Sequence, residues 1–225
     1  MEELPQKNTK DYCYDSVKAG FNLFPFVGGA LATVFETVFS SPIDTRKEAW
    51  LCDLAKVVDD LCNKVENLTP EKLSKNEEFI SAYLLASNIA IRSHQKEKLT
   101  ALRAAVKNTV LITDYDESMK MIFIRVIDEM TPLHFRLLTF LSTPNVFISE
   151  LNKLQSPNSI TDWGSLENVW DETYKDIRAD NSLIDIVISD LHRFGFVHID
   201  KFHKASMNSV STSIGKQFVA FINES

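Results

Sequence analysis

The segment GFNLFPFVGGALATVFETVFSS, residues 20–41, is the most apolar stretch of the chain and decides how the fold begins. From Val27 onward, its large apolar side chains recur at the spacing of one helix face. That face holds Val27, Leu31, Val34, Phe35, Val38 and Phe39, and the opposite face holds Gly29, Thr33, Glu36, Thr37 and Ser40. Pro25 divides the segment and leaves about 14 residues, or about 21 Å of helix, which is shorter than a hydrocarbon core of about 30 Å. We therefore predict an apolar turn that leads into a packed amphipathic helix.

The same segment leaves a second hypothesis open, in which residues 20–41 insert into a membrane as part of an effector. Its small residues are compatible with helix packing in lipid. A charge such as Glu36 at the bilayer centre costs at least about 2.5 kcal/mol, so insertion requires an oligomer that hides it. Under either hypothesis, four phenylalanines are candidate contacts with a partner or a membrane. They are Phe24, Phe26, Phe35 and Phe39.

The composition predicts a mainly α-helical fold. Only six Gly and seven Pro occur in 225 residues, which is too few turn residues for an all-β sandwich. The net charge of −7 argues against nucleic acid as a partner, because phosphate binding needs a basic face. The three cysteines have no zinc-ligand spacing, and the polar N-terminus does not resemble a secretory signal. We therefore expect reduced thiols in a cytoplasmic protein.

Helix starts are marked by proline. Five of the seven prolines follow a Ser or Thr, whose hydroxyl can cap a helix while Pro occupies its first position. The pairs are Ser41-Pro42, Thr69-Pro70, Thr131-Pro132, Thr143-Pro144 and Ser156-Pro157. After Pro42 we predict a helix to about Asn67 that buries Trp50, Leu54, Val57 and Leu61. Further helices are expected at Asn76–Arg92, Gln95–Asn108 and Glu117–Met130.

The pattern changes after residue 130. An apolar helix, Ser182–Phe194, is stopped by Gly195, a residue suited to a left-handed C-cap. An alternating segment, a polar turn and a second short segment follow, which predicts a C-terminal winged-helix-like module with a short β-hairpin. We accordingly assign residues 1–130 to a helical bundle with an apolar Gly/Pro-containing N-terminal segment, and residues 131–225 to the winged-helix-like module.

The candidate contacts of that module are His192, Arg193, Lys201 and Lys204. From Asp180 to the end, four Lys or Arg face five Asp or Glu, so the module lacks the basic surface expected of a DNA reader. Winged helices also bind proteins, and the charge pattern favours that use. A DNA-binding regulator is kept as an alternative.

Motifs for catalysis, cofactors and metals are lacking. No GxxxxGK[ST], GxGxxG, GxSxG or HExxH pattern occurs. The spacing of His192, His198 and His203 does not place two ligands on one helix face. We predict no catalytic residue, cofactor or metal, and a chain that is not an enzyme.

Several stretches carry a resemblance to an uncharacterised family of bacterial helical proteins. They include PFVGG at residues 25–29, IDEMTPLHFRLL at residues 127–138, DLHRFGFV at residues 190–197 and SIGKQFVAFI at residues 213–222. The order of elements also resembles the abortive-infection alpha family, whose members are linked to phage resistance. The resemblance implies a bacterial cytoplasmic protein with a link to phage defence, and it supplies no catalytic residues. The expected function is that of a non-enzymatic interaction or regulatory protein, acting on a protein partner or by self-association.

Overall fold

A computed structural model describes residues 29–155, 163–177 and 180–223, with side chains described from residue 44 onward and not at residue 155. The fold is mainly helical, and the described residues include no β-strand. The chain divides into two compact units, one that runs to Ile124 and one that spans Arg125–Glu224. The division falls within one continuous helix, α5, defined below.

The first unit contains α1 (Gly29–Lys64), α2 (Pro70–Leu73), α3 (Glu77–Arg92), α4 (Lys96–Leu111) and the first part of α5 (Glu117–Glu129). The predicted face of α1 is confirmed, because Trp50, Leu54, Val57 and Leu61 are all buried. The facing surfaces of α3 and α4 are rich in buried alanine, which lets the two helices approach closely. These alanines are Ala82, Ala86, Ala90, Ala101, Ala104 and Ala105.

Charged groups also hold the first unit together. The ammonium of Lys120, whose side chain is 4% exposed, ion-pairs with Glu78 at 2.8 Å and donates to the Thr109 carbonyl at 3.0 Å. Lys107, also buried, reaches Asp60 on α1 at 3.2 Å. Thr109 lies in the last turn of α4, where carbonyls lack a partner within the helix, and Glu78 lies in the first turn of α3. Lys120 therefore joins three helices at their ends.

The prediction that a helix begins at Ser41-Pro42 is wrong. Pro42 lies inside α1, which already begins at Gly29. A proline at an interior position removes one backbone hydrogen bond, although its fixed φ fits the helix. A Ser-Pro pair can start a helix only when the preceding residues are not helical. Here the residues that precede Ser41 already belong to α1. The Thr-Pro signals at Pro70, Pro132 and Pro144 are confirmed as first helical positions, whereas Pro157 lies outside the described residues.

The second unit contains the rest of α5, then α6 (Pro132–Ser142), α7 (Pro144–Gln155), α8 (Leu166–Thr173), α9 (Asn181–Arg193), a 3-10 helix (Phe202–Lys204) and α10 (Ser213–Ile222). α6 packs against both α9 and α10. An aromatic cluster joins α6, α7, α8 and the 3-10 helix. Its members are Phe140, Phe147, Trp170, Tyr174 and Phe202.

The predicted β-hairpin is not formed. Its place is taken by one isolated antiparallel bridge between Val197 and Ser211, flanked by the backbone bond from His198 to Val210 at 3.0 Å. The chain leaves this pairing at once because Phe202 enters the core through the 3-10 helix. On the other side, the Thr212 hydroxyl accepts the Gly215 N–H and begins α10. Because the burial of Phe202 and the start of α10 redirect the chain on either side, the strand pairing ends after this one bridge.

Candidate interaction surface

α9 presents an apolar surface that its own unit does not cover. Leu183 is 44% exposed and Ile186 is 59% exposed, and the two lie one helical turn apart. Ser182 and Ser189 are exposed beside them. We call these four residues the α9 face. Val146 and Leu154 on α7 are also exposed on one face, but the exposed Glu150 lies between them and interrupts that patch.

The opposite side of α9 anchors the helix and explains why the α9 face points outward. Ile184, Val187, Ile188 and Leu191 are buried and complete the inward stripe of the helix. Two more aliphatic residues, Leu183 and Ile186, are therefore in excess of what the core takes up. The two adjacent side chains form a small apolar patch, which is a surface that another molecule can cover.

Both ends of α9 are fixed by local capping. The Asp180 carboxylate accepts the Leu183 N–H at 2.7 Å. At the other end Gly195 adopts a φ of +77°, as the sequence predicted, and Phe196 and Gly195 donate to the carbonyls of Leu191 and His192. These two bonds are those of a Schellman motif. The α9 face is thus carried by a helix with defined ends.

A buried histidine ties α9 to α6. The backbone N–H of Thr131 donates to His134 Nδ1 at 3.1 Å. His134 Nε2 lies 3.4 Å from Asp190 Oδ2 on α9. Because Nδ1 accepts a hydrogen bond, a neutral ring carries its proton on Nε2. His134 thus caps α6 and also contacts α9.

The cations of the predicted winged-helix contact are all engaged by carboxylates. Arg193 lies 3.0 Å from Glu129 and 3.4 Å from Asp190, and its guanidinium also stacks on the Phe194 ring. Lys201 pairs with Asp185 at 3.2 Å. Lys204 pairs with Asp200 at 2.6 Å. His192 is exposed at the end of α9. The surface around the α9 face is therefore slightly acidic, because these three cations are outnumbered by five carboxylates, those of Glu129, Asp180, Asp185, Asp190 and Asp200.

Asp185 fixes the 3-10 helix to α9. Its carboxylate accepts the Phe202 N–H at 2.9 Å in addition to the Lys201 ammonium. The hydrogen bond from the Phe202 backbone, followed by the Lys201 contact, lowers the pKa of Asp185 below its ordinary value. The Lys204 hydrogen bond likewise lowers the pKa of Asp200. The lowered pKa favours the charged form of both carboxylates, one on α9 and the other just before the 3-10 helix.

The structure does not describe the side chains of the four phenylalanines that the sequence predicts to contact a partner or a membrane. Phe24 and Phe26 lie outside the described residues, and Phe35 and Phe39 belong to α1 without described side chains. Across the described part of the chain, no helix combines the length and apolarity needed to cross a bilayer. In the same residues, no three His, Cys, Asp or Glu side chains are grouped so that they could hold a metal ion.

Leu183 and Ile186 were not singled out from the sequence. The pattern of residues 182–194 predicts only an apolar helix, with possible contacts at His192 and Arg193. A signal was present, because a 13-residue helix with one buried stripe has more aliphatic residues here than that stripe can hold. No protein-family model, curated protein or solved structure matches the chain.

Proposed function

We propose that this chain is a non-enzymatic interaction protein whose contact surface is the α9 face. The observation that carries the proposal is the pair Leu183 and Ile186, two large aliphatic side chains left exposed on a helix whose buried stripe is already complete. Aliphatic side chains at the centre of a patch and polar groups at its edge are the usual arrangement of a protein–protein contact.

The charges around the α9 face favour a protein over a nucleic acid. A DNA reader needs Lys and Arg side chains that exchange their counterions for phosphates. Here Arg193, Lys201 and Lys204 each lie within ion-pair distance of a carboxylate of the same unit. Binding of phosphate would have to break these pairs and would meet the negative charge of their partners. DNA binding therefore ranks behind protein binding.

The winged-helix-like assignment enters the proposal only in part. The proposed winged-helix-like order is helix, glycine stop, bridged segment and closing helix, and a single bridge, Val197–Ser211, stands where such a module would have its two-stranded wing. This order supports a use in which α9 is the presented element, since the recognition helix of a winged helix is the one that contacts other molecules. The link to phage defence rests on the resemblance alone and stays a prediction.

The test compares two substitutions of exposed isoleucines. Ile186→Asp places a charge at the centre of the α9 face, and Ile122→Asp does the same on α5, where Ile122 is similarly exposed. Self-association of each purified chain is measured by light scattering. Capture of other proteins is measured with the immobilised chain, followed by rebinding of each purified candidate.

We expect Ile186→Asp to weaken binding at least about tenfold, because a buried carboxylate without a partner is costly at the centre of an interface. Ile122→Asp should leave binding unchanged. A chain that stays monomeric and rebinds no partner would contradict the proposal. Equal binding by wild type and Ile186→Asp would contradict it as well.

A further inference from the structure

The start of α6 is capped by a histidine at a position where helices commonly use Glu or Gln. Thr131 is the N-cap, and His134 stands three residues later, where a Glu or Gln side chain accepts the backbone N–H of the cap residue in a capping box. Here His134 Nδ1 accepts that Thr131 N–H at 3.1 Å. Unlike glutamine, histidine changes its charge near neutral pH. The cap of α6 therefore depends on the protonation of one ring.

A proton on Nδ1 and the cap bond exclude each other. A charged imidazole carries a proton on both nitrogens, so Nδ1 can no longer accept the Thr131 N–H. The Thr131 hydroxyl oxygen lies 2.9 Å from the same nitrogen and can accept the new proton. Thr131 is exposed, so its released N–H can donate to water. Both the neutral and the charged ring thus have a partner at Nδ1.

The other ring nitrogen lies where a carboxylate favours the charged form. Nε2 is 3.4 Å from Asp190 Oδ2, which is ion-pair distance once the ring is charged. Asp190 also contacts Arg193, which pairs with Glu129 at the end of α5. Burial opposes the charge, because the His134 side chain is only 6% exposed. The Asp190 carboxylate and the burial of the ring therefore act in opposite directions.

The remaining charged groups on α6 and on the helices that pack against it are exposed or act on other residues. They are Arg136 on α6, Asp185 and His192 on α9, Glu150 and Lys153 on α7, and Lys216 on α10. Asp185 contacts the 3-10 helix, and His192 acts on Asp200. Arg136 and Glu150 act on Tyr174. The charge that α9 presents to His134 is therefore that of Asp190, together with its partner Arg193.

From this geometry we infer that His134 is a pH-dependent switch between two partners. The neutral ring accepts the Thr131 N–H and caps α6, whereas the charged ring releases that N–H and pairs with the Asp190 carboxylate on α9. Acidification thus loosens the junction of α5 and α6 and strengthens the contact of α6 with α9. The inference does not depend on the α9 face being an interface.

The experiment follows the His134 ring and the Thr131 backbone amide of the full-length chain by NMR from about pH 5 to 8. Both signals should change with one common midpoint. The Thr131 amide proton should move upfield on acidification, because it exchanges an imidazole acceptor for water. His94 is the internal control: it is exposed, so it should titrate near pH 6.5 without moving the Thr131 amide at that midpoint.

Two variants separate the partners of the ring. His134→Gln keeps an acceptor at the same helix position but does not titrate, so the Thr131 amide should show no step across this pH range. Asp190→Asn removes the carboxylate and should lower the midpoint of the His134 ring by about one pH unit.

The wild-type titration tests the inference even if a variant fails to fold. A His134 ring that stays neutral down to pH 5 overturns the switch. A ring that titrates while the Thr131 amide does not move overturns the exchange of partners. An unchanged midpoint in folded Asp190→Asn overturns the pairing with α9.

Discussion

At the scale of single residues, the buried Lys120 shows how one cation can stabilise several helix ends. Lys120→Met removes its ion pair with Glu78 and its hydrogen bond to Thr109, and it leaves a carboxylate and a carbonyl without that partner. Because the Glu78 oxygen that faces Lys120 is itself buried, the variant leaves it without its ion-pair partner, and we expect a loss of about 3 kcal/mol. The urea midpoint should fall by about 1 M.

Lys56→Met is the matched control for this prediction. Lys56 forms an exposed pair with Asp53 within one helix, and such pairs contribute at most about 0.5 kcal/mol. Its urea midpoint should therefore stay close to that of the wild type. Equal urea midpoints for the Lys120 and Lys56 variants would show that the buried contacts of Lys120 contribute no more to the free energy of unfolding than an exposed ion pair does.

Gly195 and Gly215 of the second unit resist substitution for different physical reasons. A Cβ on Gly215 would lie 2.1 Å from the Phe196 carbonyl oxygen, and Phe196 cannot shift easily because its ring stacks on Phe218 at 4.3 Å. A Cβ on Gly195 meets no atom within 4 Å, but the residue has a positive φ. We expect Gly215→Ala to cost about 2–3 kcal/mol and Gly195→Ala about 1 kcal/mol.

Thermal unfolding checks this order. Gly215→Ala should lower the Tm by about 5 °C or more, although alanine is the better helix former. Gly195→Ala should lower the Tm by only a few degrees. The reverse order would mean that α10 can move away from Phe196 at little cost.

At the scale of elements, Asp185 holds the 3-10 helix against α9, and its contribution depends on pH. The pKa of Asp185 is lowered in the folded protein, so its contribution to stability is present above the unfolded value of about 3.9 and is lost as the pH falls through the folded pKa. Asp185→Asn should therefore lower the Tm at pH 7 by a few degrees. The difference from wild type should shrink below about pH 4.

The difference between the two proteins is the quantity to follow, because Asp200 and other carboxylates titrate in both. Asp171→Asn, on the exposed side of α8, is the control and should change the Tm little at any pH. A Tm difference between Asp185→Asn and wild type that is independent of pH would assign the effect to packing instead of charge.

Most helices could be predicted from the sequence because their signals are local. The Thr-Pro starts at Pro70 and Pro132 and the stop at Gly195 depend on a few neighbouring residues, and the buried face around Trp50 follows from periodicity alone. Pro42 was misassigned because its signal depends on whether the preceding chain is already helical. The prediction of a β-hairpin was wrong because the burial of Phe202, which is a tertiary effect, outweighed the alternating pattern of the sequence.

The α9 face could not be predicted from the sequence, because it also depends on tertiary packing. Periodicity gives the apolar content of a helix, but which side is covered depends on the neighbours that pack against it. Ile184 and Ile186 are chemically alike and two positions apart, yet only Ile184 is buried. Likewise, whether a cation near the α9 face is already paired depends on contacts such as that of Lys201 with Asp185, which are distant in sequence and meet only through the fold.

At the scale of the whole molecule, the net charge of −7 sets the background for any association. At 10 mM salt the Debye length is about 30 Å, so charges throughout two approaching copies repel each other. At 150 mM it is about 8 Å, and the repulsion is largely screened. Screening of the general repulsion should therefore dominate.

The dissociation constant of any self-association through the α9 face should accordingly fall several-fold between 10 and 150 mM NaCl, as measured by sedimentation. Binding to nucleic acid has the opposite dependence, because salt competes with the release of counterions from phosphates. Asp59→Lys provides the control: it changes an exposed residue on α1, reduces the net charge from −7 to −5 and should roughly halve the charge product that salt screens. Weaker association at 150 mM salt in both proteins would show that direct ion pairs, and not the apolar α9 face, hold the copies together.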